Sequence, residues 1–260
     1  MEPVIEPVKE PKKFEVTVPM AIVVGALIIA VAIIIAFGPR RAPTADDFSQ
    51  QDIVAMVESI TETKGPLPVP AVTEADHVRG AKNPVLTIIE YSDFECPYCK
   101  NFHETMEQVL KKYGNKVAWV YRHFPLDCED NESTQCRVLH ENARVEAMAS
   151  ECVARLGGND AFWKYADAIF SETKSNDGLA LERLPVLASA VGVSAEEFTQ
   201  CLDTKATAGD VSADAKPAIA AKVTGTPTSY IVDSEGVSYT ISGGYPFEAV
   251  DAVLKQLLDK

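Results

Sequence analysis

The distribution of apolar and charged positions separates a long apolar run from the rest of the chain. No charged residue occurs between Glu15 and Arg40, and the run between them is apolar on every side of a helix. About 20 apolar residues are enough to cross the hydrocarbon core of a bilayer, so the run predicts a transmembrane anchor over residues 19–38. A cleaved signal peptide is the alternative, but its apolar stretch is usually shorter, about 7–15 residues.

The segments on either side of the run are polar. Residues 1–18 alternate Pro, Glu, Lys and Val, which predicts an unstructured tail. Residues 39–75 predict a stalk with a helix capped by Thr44, followed by a Pro-rich linker. Lysines before the anchor favour a cytoplasmic tail. These features predict a single-pass protein of the cell membrane, bound to the lipid bilayer through residues 19–38, with residues 76–260 outside the cytoplasm.

Residues 76–260 show the alternation of strand and helix patterns that is typical of an α/β domain. Short runs rich in β-branched residues predict strands at 85–92, 116–125, 228–233 and 237–242. Helical spacing of apolar residues follows Cys96 and recurs at the end of the chain. Residues from about 134 to 222 are predicted to be mostly helical. The predicted order is therefore β-α-β, a helical insertion, and β-β-α.

The charge balance excludes one class of partner. Acidic residues outnumber basic ones, 38 to 24, and the formal net charge is −14. Proteins that bind nucleic acid owe most of their affinity to Lys and Arg side chains on phosphates. The chain is therefore not predicted to bind nucleic acid.

The sequence CPYC carries the candidate chemistry. Cys96 follows a predicted buried strand and begins a helix, where unpaired backbone N–H groups favour a thiolate. Pro97 suits the first helical position. Cys99, one turn later, is expected to be the more shielded sulfur, and an exposed attacking sulfur with a shielded partner is suited to thiol–disulfide exchange. Zinc held with Cys128 and Cys136, or a purely structural disulfide, are the alternatives.

Three stretches together resemble the DsbA-type branch of the thioredoxin superfamily: EYSDFECPYCK, YRHFPLD and VTGTPTSYIVD, in that order. The resemblance covers roughly residues 76–260 and implies a thioredoxin fold with an inserted helical subdomain. It implies that Cys96 is the nucleophile, Cys99 the resolving cysteine, and Pro227 a cis-proline facing them. Pro97, Tyr98 and the backbone of Thr226 are the implied substrate contacts. It implies no cofactor other than the redox-active Cys96–Cys99 disulfide, and no metal.

Two further expectations concern polar residues near this motif. In thioredoxin-like proteins an acidic residue six positions before the first cysteine lies beneath the active site, so the resemblance implies that Glu90 acts as a proton acceptor for Cys99, with its pKa raised by burial. The alternative is a glutamate on a partly exposed strand face. His103 is interpreted as a solvated surface residue, and His123 and His140 are given no catalytic role.

Four other cysteines suit structural disulfides in an oxidising compartment. Cys128 and Cys136 bracket a polar loop and predict a local disulfide. Cys152 and Cys201 lie on the apolar faces of two predicted helices, and some relatives have cysteines at similar places. A disulfide across these helices is predicted, with two buried free thiols as the alternative.

These features together predict an extracytoplasmic thiol–disulfide oxidoreductase. Its expected reaction is transfer of the Cys96–Cys99 disulfide to cysteine pairs of exported proteins, followed by reoxidation by a membrane or soluble redox partner. A disulfide isomerase, a membrane-tethered reductase and a non-enzymatic binding module with a structural CxxC remain alternatives.

Overall fold

A seven-residue strand of mostly apolar residues, LTIIEYS, forms the centre of a mixed β-sheet in the computed structural model. The structure describes residues 48–131, 133 and 135–259. The six strands are β1 (Gly65–Pro66), β2 (His77–Gly80), β3 (Leu86–Ser92), β4 (Val117–His123), β5 (Thr228–Asp233) and β6 (Val237–Ser242). Their order across the sheet is β1-β6-β5-β3-β4-β2.

The sheet has the pairing that the predicted element order requires. Helix α2 (Pro97–Tyr113) connects β3 to β4, and the two strands are parallel, as a crossover connection allows. Strand β5 is antiparallel to both β3 and β6. Helix α8 (Phe247–Leu258) follows β6 and packs beside α2. The β-α-β and β-β-α units of the prediction are therefore present in one sheet.

The helical insertion lies between β4 and β5. Its helices are α3 (Ala143–Gly157), α4 (Asn159–Glu172), α5 (Leu184–Ala190), α6 (Ala195–Asp203) and α7 (Ala208–Ala220), with a 3₁₀ turn at Leu181–Arg183. The insertion was predicted to begin near residue 134, but its first helix begins at Ala143. The preceding segment is an irregular loop, because a disulfide and backbone hydrogen bonds to Leu126 hold it in place.

Part of the segment predicted as stalk and linker packs against the sheet. Helix α1 (Gln50–Glu62) contacts α8 and β6, and Ile60 is fully buried. Ser49 caps this helix, not Thr44, and forms a capping box with Asp52. Strand β1 then pairs with β6. Residues 50–66 therefore extend the domain at the edge of its sheet.

The predicted anchor at 19–38 and the predicted tail at 1–18 lie outside the described residues. Within the part of the chain that the structure describes, no helix is both long enough and apolar enough to cross a bilayer.

Candidate active site

Cys96 occupies the turn between β3 and α2. Its backbone is extended, at φ −78° and ψ 121°, and it is the N-cap residue of α2. Pro97 begins the helix, where a missing N–H is tolerated because that group has no partner within the helix. The local sequence thus places a thiol at the positive end of a 17-residue helix.

The two thiols differ less in exposure than the sequence predicts. Cys96 was expected to be exposed, but only 4% of its surface is accessible, compared with 0% for Cys99. The cause is the turn before β5, since the Cys96 S–H donates a hydrogen bond of 3.4 Å to the carbonyl of Thr226. Tyr98 is 40% exposed and presents the largest accessible side chain of the motif.

The electrostatics of the two thiols differ strongly. Both are free in this structure. The hydrogen bond from the Cys99 thiol lowers the pKa of Cys96 to about 7, against the opposing effect of burial. Burial, together with the neighbouring Cys96 thiolate, raises the pKa of Cys99 well above its usual value. Cys96 is therefore the thiol that ionises first.

The Thr226–Pro227 peptide bond is cis and lies against this pair. Strand β5 begins directly afterwards and pairs with β3 from Thr228, opposite Tyr91. Because of this register, the Thr226–Pro227 turn lies beside the end of β3 that leads into α2. The Gly243 N–H donates to the Pro227 carbonyl at 2.9 Å, which ties the turn to the end of β6.

Glu90 lies on β3 with only 1% of its surface exposed, so the exposed-face alternative is wrong. The indole N–H of Trp119 donates to its Oε2 at 2.9 Å. Burial raises the pKa of Glu90 to about 7. The charge of Glu90 in turn raises the pKa of Cys99, so the two groups act on each other electrostatically.

A group of buried polar residues around the cysteines was not foreseen. Asp93 receives the N–H groups of Glu95 and Leu126 and pairs with His140 at 2.9 Å. Burial and the neighbouring Glu95 carboxylate raise the pKa of Glu146 to about 11, so this side chain is neutral at physiological pH. The sequence carried one signal for this group: the acids of the DFE stretch, Asp93 and Glu95, directly follow a predicted buried strand, and buried carboxylates need hydrogen-bond or charge partners.

His103 is buried, with 4% exposure, and the expectation that it is solvated is wrong. Its Nε2 lies 2.8 Å from Asp167, and the Arg79 guanidinium binds the same carboxylate at 2.9 and 2.6 Å. Among the described residues, His103, Glu107 and Asp167 have ligand atoms close enough together to hold a metal ion. The bidentate arginine takes both oxygens of Asp167, and its positive charge opposes a second cation there.

The other four cysteines are bonded to one another as predicted. Cys128 is bonded to Cys136, and Cys152 is bonded to Cys201. The zinc alternative, which needs Cys128 and Cys136 as thiolates, does not fit these partners.

Comparisons with known proteins agree with this geometry. A family model described as Thioredoxin matches residues 72–242. The DsbA2 structure of Pseudomonas aeruginosa is similar at a TM-score of 0.56 and 26% identity, over 72% of this chain and 97% of that one. The structure of BdbD from Bacillus subtilis is similar at a TM-score of 0.59 and 20% identity, over 74% of this chain and 97% of that one. The structure of a periplasmic thioredoxin-like protein from Salmonella enterica is similar at a TM-score of 0.50 and 20% identity, over 82% of this chain and 99% of that one.

Curated relatives are much longer than the matching region. The Na⁺/H⁺ antiporter NhaA of Herminiimonas arsenicoxydans is 31% identical over 186 residues, which is 72% of this chain and 26% of the antiporter. NhaA 3 of Salinispora tropica is 32% identical over 165 residues, 64% of this chain and 23% of that protein. The chain thus spans about a quarter of these relatives. By its family match and its fold, the chain belongs to the thioredoxin family and is a DsbA-type member of that superfamily.

Proposed function

We propose that this protein is an extracytoplasmic thiol–disulfide oxidoreductase that transfers the Cys96–Cys99 disulfide to cysteine pairs of exported proteins. The observation that carries the proposal is the placement of Cys96 at the start of α2, 3.4 Å from the Thr226 carbonyl and beside a more deeply shielded Cys99. Cation antiport is not part of this proposal, because the aligned region covers only about a quarter of the length of the antiporters.

The proposed reaction moves two electrons from the substrate to the protein. A substrate thiolate attacks Cys96 Sγ of the disulfide, the Cys96–Cys99 bond breaks, and Cys99 leaves as a thiolate. A second substrate thiolate then attacks the substrate sulfur of the mixed disulfide, and Cys96 leaves as a thiolate. The substrate is oxidised to a disulfide, and a membrane or soluble redox partner must reoxidise the protein.

Individual residues have distinct proposed roles in this reaction. Glu90, with its pKa raised by burial to about 7, gives a proton to the Cys99 thiolate as it leaves. The backbone of Thr226 pairs with the substrate segment around its cysteine, in the manner of an added strand. Pro97 and the exposed ring of Tyr98 contact the same segment.

Two observations support a location outside the cytoplasm. The structure contains two disulfides besides the active-site pair, and disulfides persist mainly in oxidising compartments. One similar solved protein is described as periplasmic. We propose in addition that residues 19–38 anchor the chain in the bilayer and that residues 76–260 lie outside the cytoplasm.

The reduction potential of the active-site pair tests the direction of the reaction. We would equilibrate the full-length protein with glutathione and quantify the Cys96–Cys99 disulfide. A potential near about −120 mV fits a strong dithiol oxidase, whereas one near about −270 mV makes the protein a reductant and overturns the oxidase assignment. An intermediate value would favour the isomerase.

Trapping experiments separate an enzyme from a binding module. Cys99→Ser should accumulate a mixed disulfide with a substrate that carries a disulfide: the Cys96 thiolate attacks the substrate disulfide, one substrate sulfur leaves as a thiolate, and the resolving thiol of Cys99 is missing. Cys96→Ser should form no such adduct. The Cys152→Ala/Cys201→Ala double variant is the matched control, since those cysteines lie in the helical insertion, and it should behave as wild type. Binding of substrate without any trapped adduct would contradict the enzymatic proposal and support a non-enzymatic binding module.

A further inference from the structure

The two residues between the active-site cysteines carry no positive charge, since they are Pro97 and Tyr98. The thiol of Cys99, the side chain of Thr226 and the backbone N–H of Cys99 stabilise the Cys96 thiolate, whereas burial and the charge of Asp93 oppose it. A thiolate in so shielded a position is stabilised further by any nearby cation. Within the part of the chain that the structure describes, the imidazole of His140 is a buried candidate that reaches Cys96 through Asp93.

His140 is linked to the active site through Asp93. Its Nδ1 lies 2.9 Å from Asp93 Oδ2, and both side chains are almost fully buried. The backbone of Asp93 contacts both cysteines: its carbonyl accepts the Cys96 N–H at 3.1 Å, and its N–H donates to Cys99 Sγ at 3.5 Å. One residue therefore separates the imidazole from the reacting sulfurs.

The loop that carries His140 is fixed in this position from several sides. The Cys128–Cys136 disulfide closes the loop, and the N–H groups of Leu139 and His140 both donate to the Leu126 carbonyl. The Leu126 N–H in turn donates to Asp93 Oδ2 at 2.9 Å. The loop thus delivers a hydrogen bond and an imidazole to the same carboxylate oxygen.

The charged groups around His140 favour its protonated form. Burial opposes the charge, but the Asp93 carboxylate outweighs it, and the pKa of His140 is raised, with Cys96 and Asp177 contributing in the same direction. The first turn of α3, which follows in the chain, contributes Glu146, which burial keeps neutral, and Arg144, whose charge is matched by Asp127.

We propose that His140, held as an imidazolium by Asp93, is the side-chain cation that stabilises the Cys96 thiolate. It is a positioning residue for the charge of the site, because it acts on the reacting sulfur without bonding to it. The inference rests on the proposed function, in which the stability of this thiolate determines how oxidising the disulfide is. It gives the loop between β4 and α3 a role in setting the reduction potential.

His140→Asn separates charge from structure. The amide nitrogen of Asn takes the place of Nδ1 and can still donate to Asp93, but the side chain carries no charge. We expect the pKa of Cys96, measured by ultraviolet thiolate absorbance in the full-length protein, to rise by about 0.5–1 unit, a three- to tenfold loss of thiolate relative to thiol. The reduction potential should fall by the corresponding amount, about 15–30 mV.

The matched control is His77→Asn. His77 is also buried and also pairs with a carboxylate, at 2.8 Å from Glu151, but it lies on the edge strand β2. We expect this variant to leave the Cys96 pKa unchanged. An unchanged Cys96 pKa in a folded His140→Asn variant would overturn the proposal and make the histidine merely structural.

A measurement on the wild-type protein avoids any risk of misfolding. If the thiolate and the imidazolium stabilise each other, the effect is reciprocal. The chain has four histidines, so each ring can be titrated by NMR. The pKa of His140 should be lower when Cys96 and Cys99 are joined as a disulfide than when Cys96 is a thiolate. Equal His140 values in the two redox states overturn the inference.

Failure of this inference and failure of the proposed function give different results. A protein that forms no mixed disulfide with reduced substrates, but whose His140 pKa follows the redox state of Cys96, contradicts the proposed function and supports the electrostatic pair. A protein that oxidises substrates while His140 titrates identically in both redox states supports the proposed function and contradicts the electrostatic pair.

Discussion

The indole N–H of Trp119 on β4 donates a 2.9 Å hydrogen bond to the buried carboxylate of Glu90 on the adjacent strand β3. Burial nevertheless raises the pKa of this carboxyl to about 7. The native protein therefore holds a proton here at pH values where a glutamate in the unfolded chain, with a pKa of about 4.3, has released it. Between these two values the native state binds more protons, so stability falls as the pH rises.

Glu90→Gln should remove this loss of stability. The amide keeps an acceptor for Trp119 and is neutral at every pH. We expect the oxidised variant to match wild type near about pH 4 and to exceed it at about pH 8 by about 3 kcal/mol in the free energy of unfolding. Urea unfolding at the two pH values measures the difference. A constant difference would mean that Glu90 titrates normally in the folded protein.

Glu151 has the opposite behaviour and gives a prediction of opposite sign. Its Oε1 lies 2.8 Å from Nε2 of His77 and 3.1 Å from Nε2 of His123. Burial alone would raise the pKa of Glu151, but the hydrogen bonds from the two imidazoles lower it below the usual range. The stability from this depressed pKa is present above the unfolded-state pKa of about 4.3 and is lost as the pH falls towards the folded-state value.

Glu151→Gln should destabilise the protein at neutral pH, by about 2–4 kcal/mol, because it removes one charge of a buried cluster. The deficit should shrink when urea unfolding is repeated at about pH 3. The exposed Glu104 on α2 supplies the control: Glu104→Gln should change stability by less than about 0.5 kcal/mol at either pH. A deficit that persists unchanged in acid would assign the loss to packing.

The two structural disulfides should differ in their contributions to stability. Cys152–Cys201 joins positions 49 residues apart, and Cys128–Cys136 joins positions 8 apart. If disulfides act by restricting the unfolded chain, the longer loop contributes about 4 kcal/mol and the shorter about 2.5 kcal/mol. Paired Cys→Ala variants, compared by urea unfolding with the active-site pair oxidised, should therefore differ by about 1.5 kcal/mol. Equal losses would exclude loop entropy as the main cause.

The features that could be predicted from the sequence depend on residues that are close together in the chain. A buried β-branched run followed by CPYC specifies a strand, a cap and a helix within a few residues, and Thr226–Pro227 precedes a strand in the same way. Such signals depend on backbone propensity and on the period of apolar residues, both of which operate over one element.

The features that were missed depend on contacts between distant residues. Asp93 and His140 are 47 positions apart, and nothing in the loop sequence says which carboxylate the imidazole will meet. The capping signals in the predicted stalk indicated a helix but not that β6 and α8 would cover it. Periodicity reports that a face is buried and does not identify its partner. This is why the cysteines could be placed in advance and the polar residues that tune them could not.

Glu95, directly before Cys96, clamps a loop of the helical insertion onto the active-site turn. Its backbone carbonyl accepts the Asn176 N–H at 2.7 Å, and its carboxylate accepts the N–H groups of Gly178 and Leu179 at 3.0 and 3.4 Å. The loop includes three consecutive left-handed residues, Ser175, Asn176 and Asp177, at φ 60°, 53° and 62°. Non-glycine residues adopt this conformation at a cost, so surrounding contacts must hold it.

Glu95→Ala should release this loop while leaving the backbone bond from Asn176 available. We expect a loss of about 2–4 kcal/mol in the free energy of unfolding, because two backbone donors lose their acceptor and each costs about 1–3 kcal/mol when buried. Partial offset should come from Glu146, which no longer faces a second carboxylate. Hydrogen exchange at Gly178 and Leu179 should accelerate, whereas in Glu104→Ala it should match wild type. Protected amides at both positions in Glu95→Ala would show that the insertion holds the loop without Glu95.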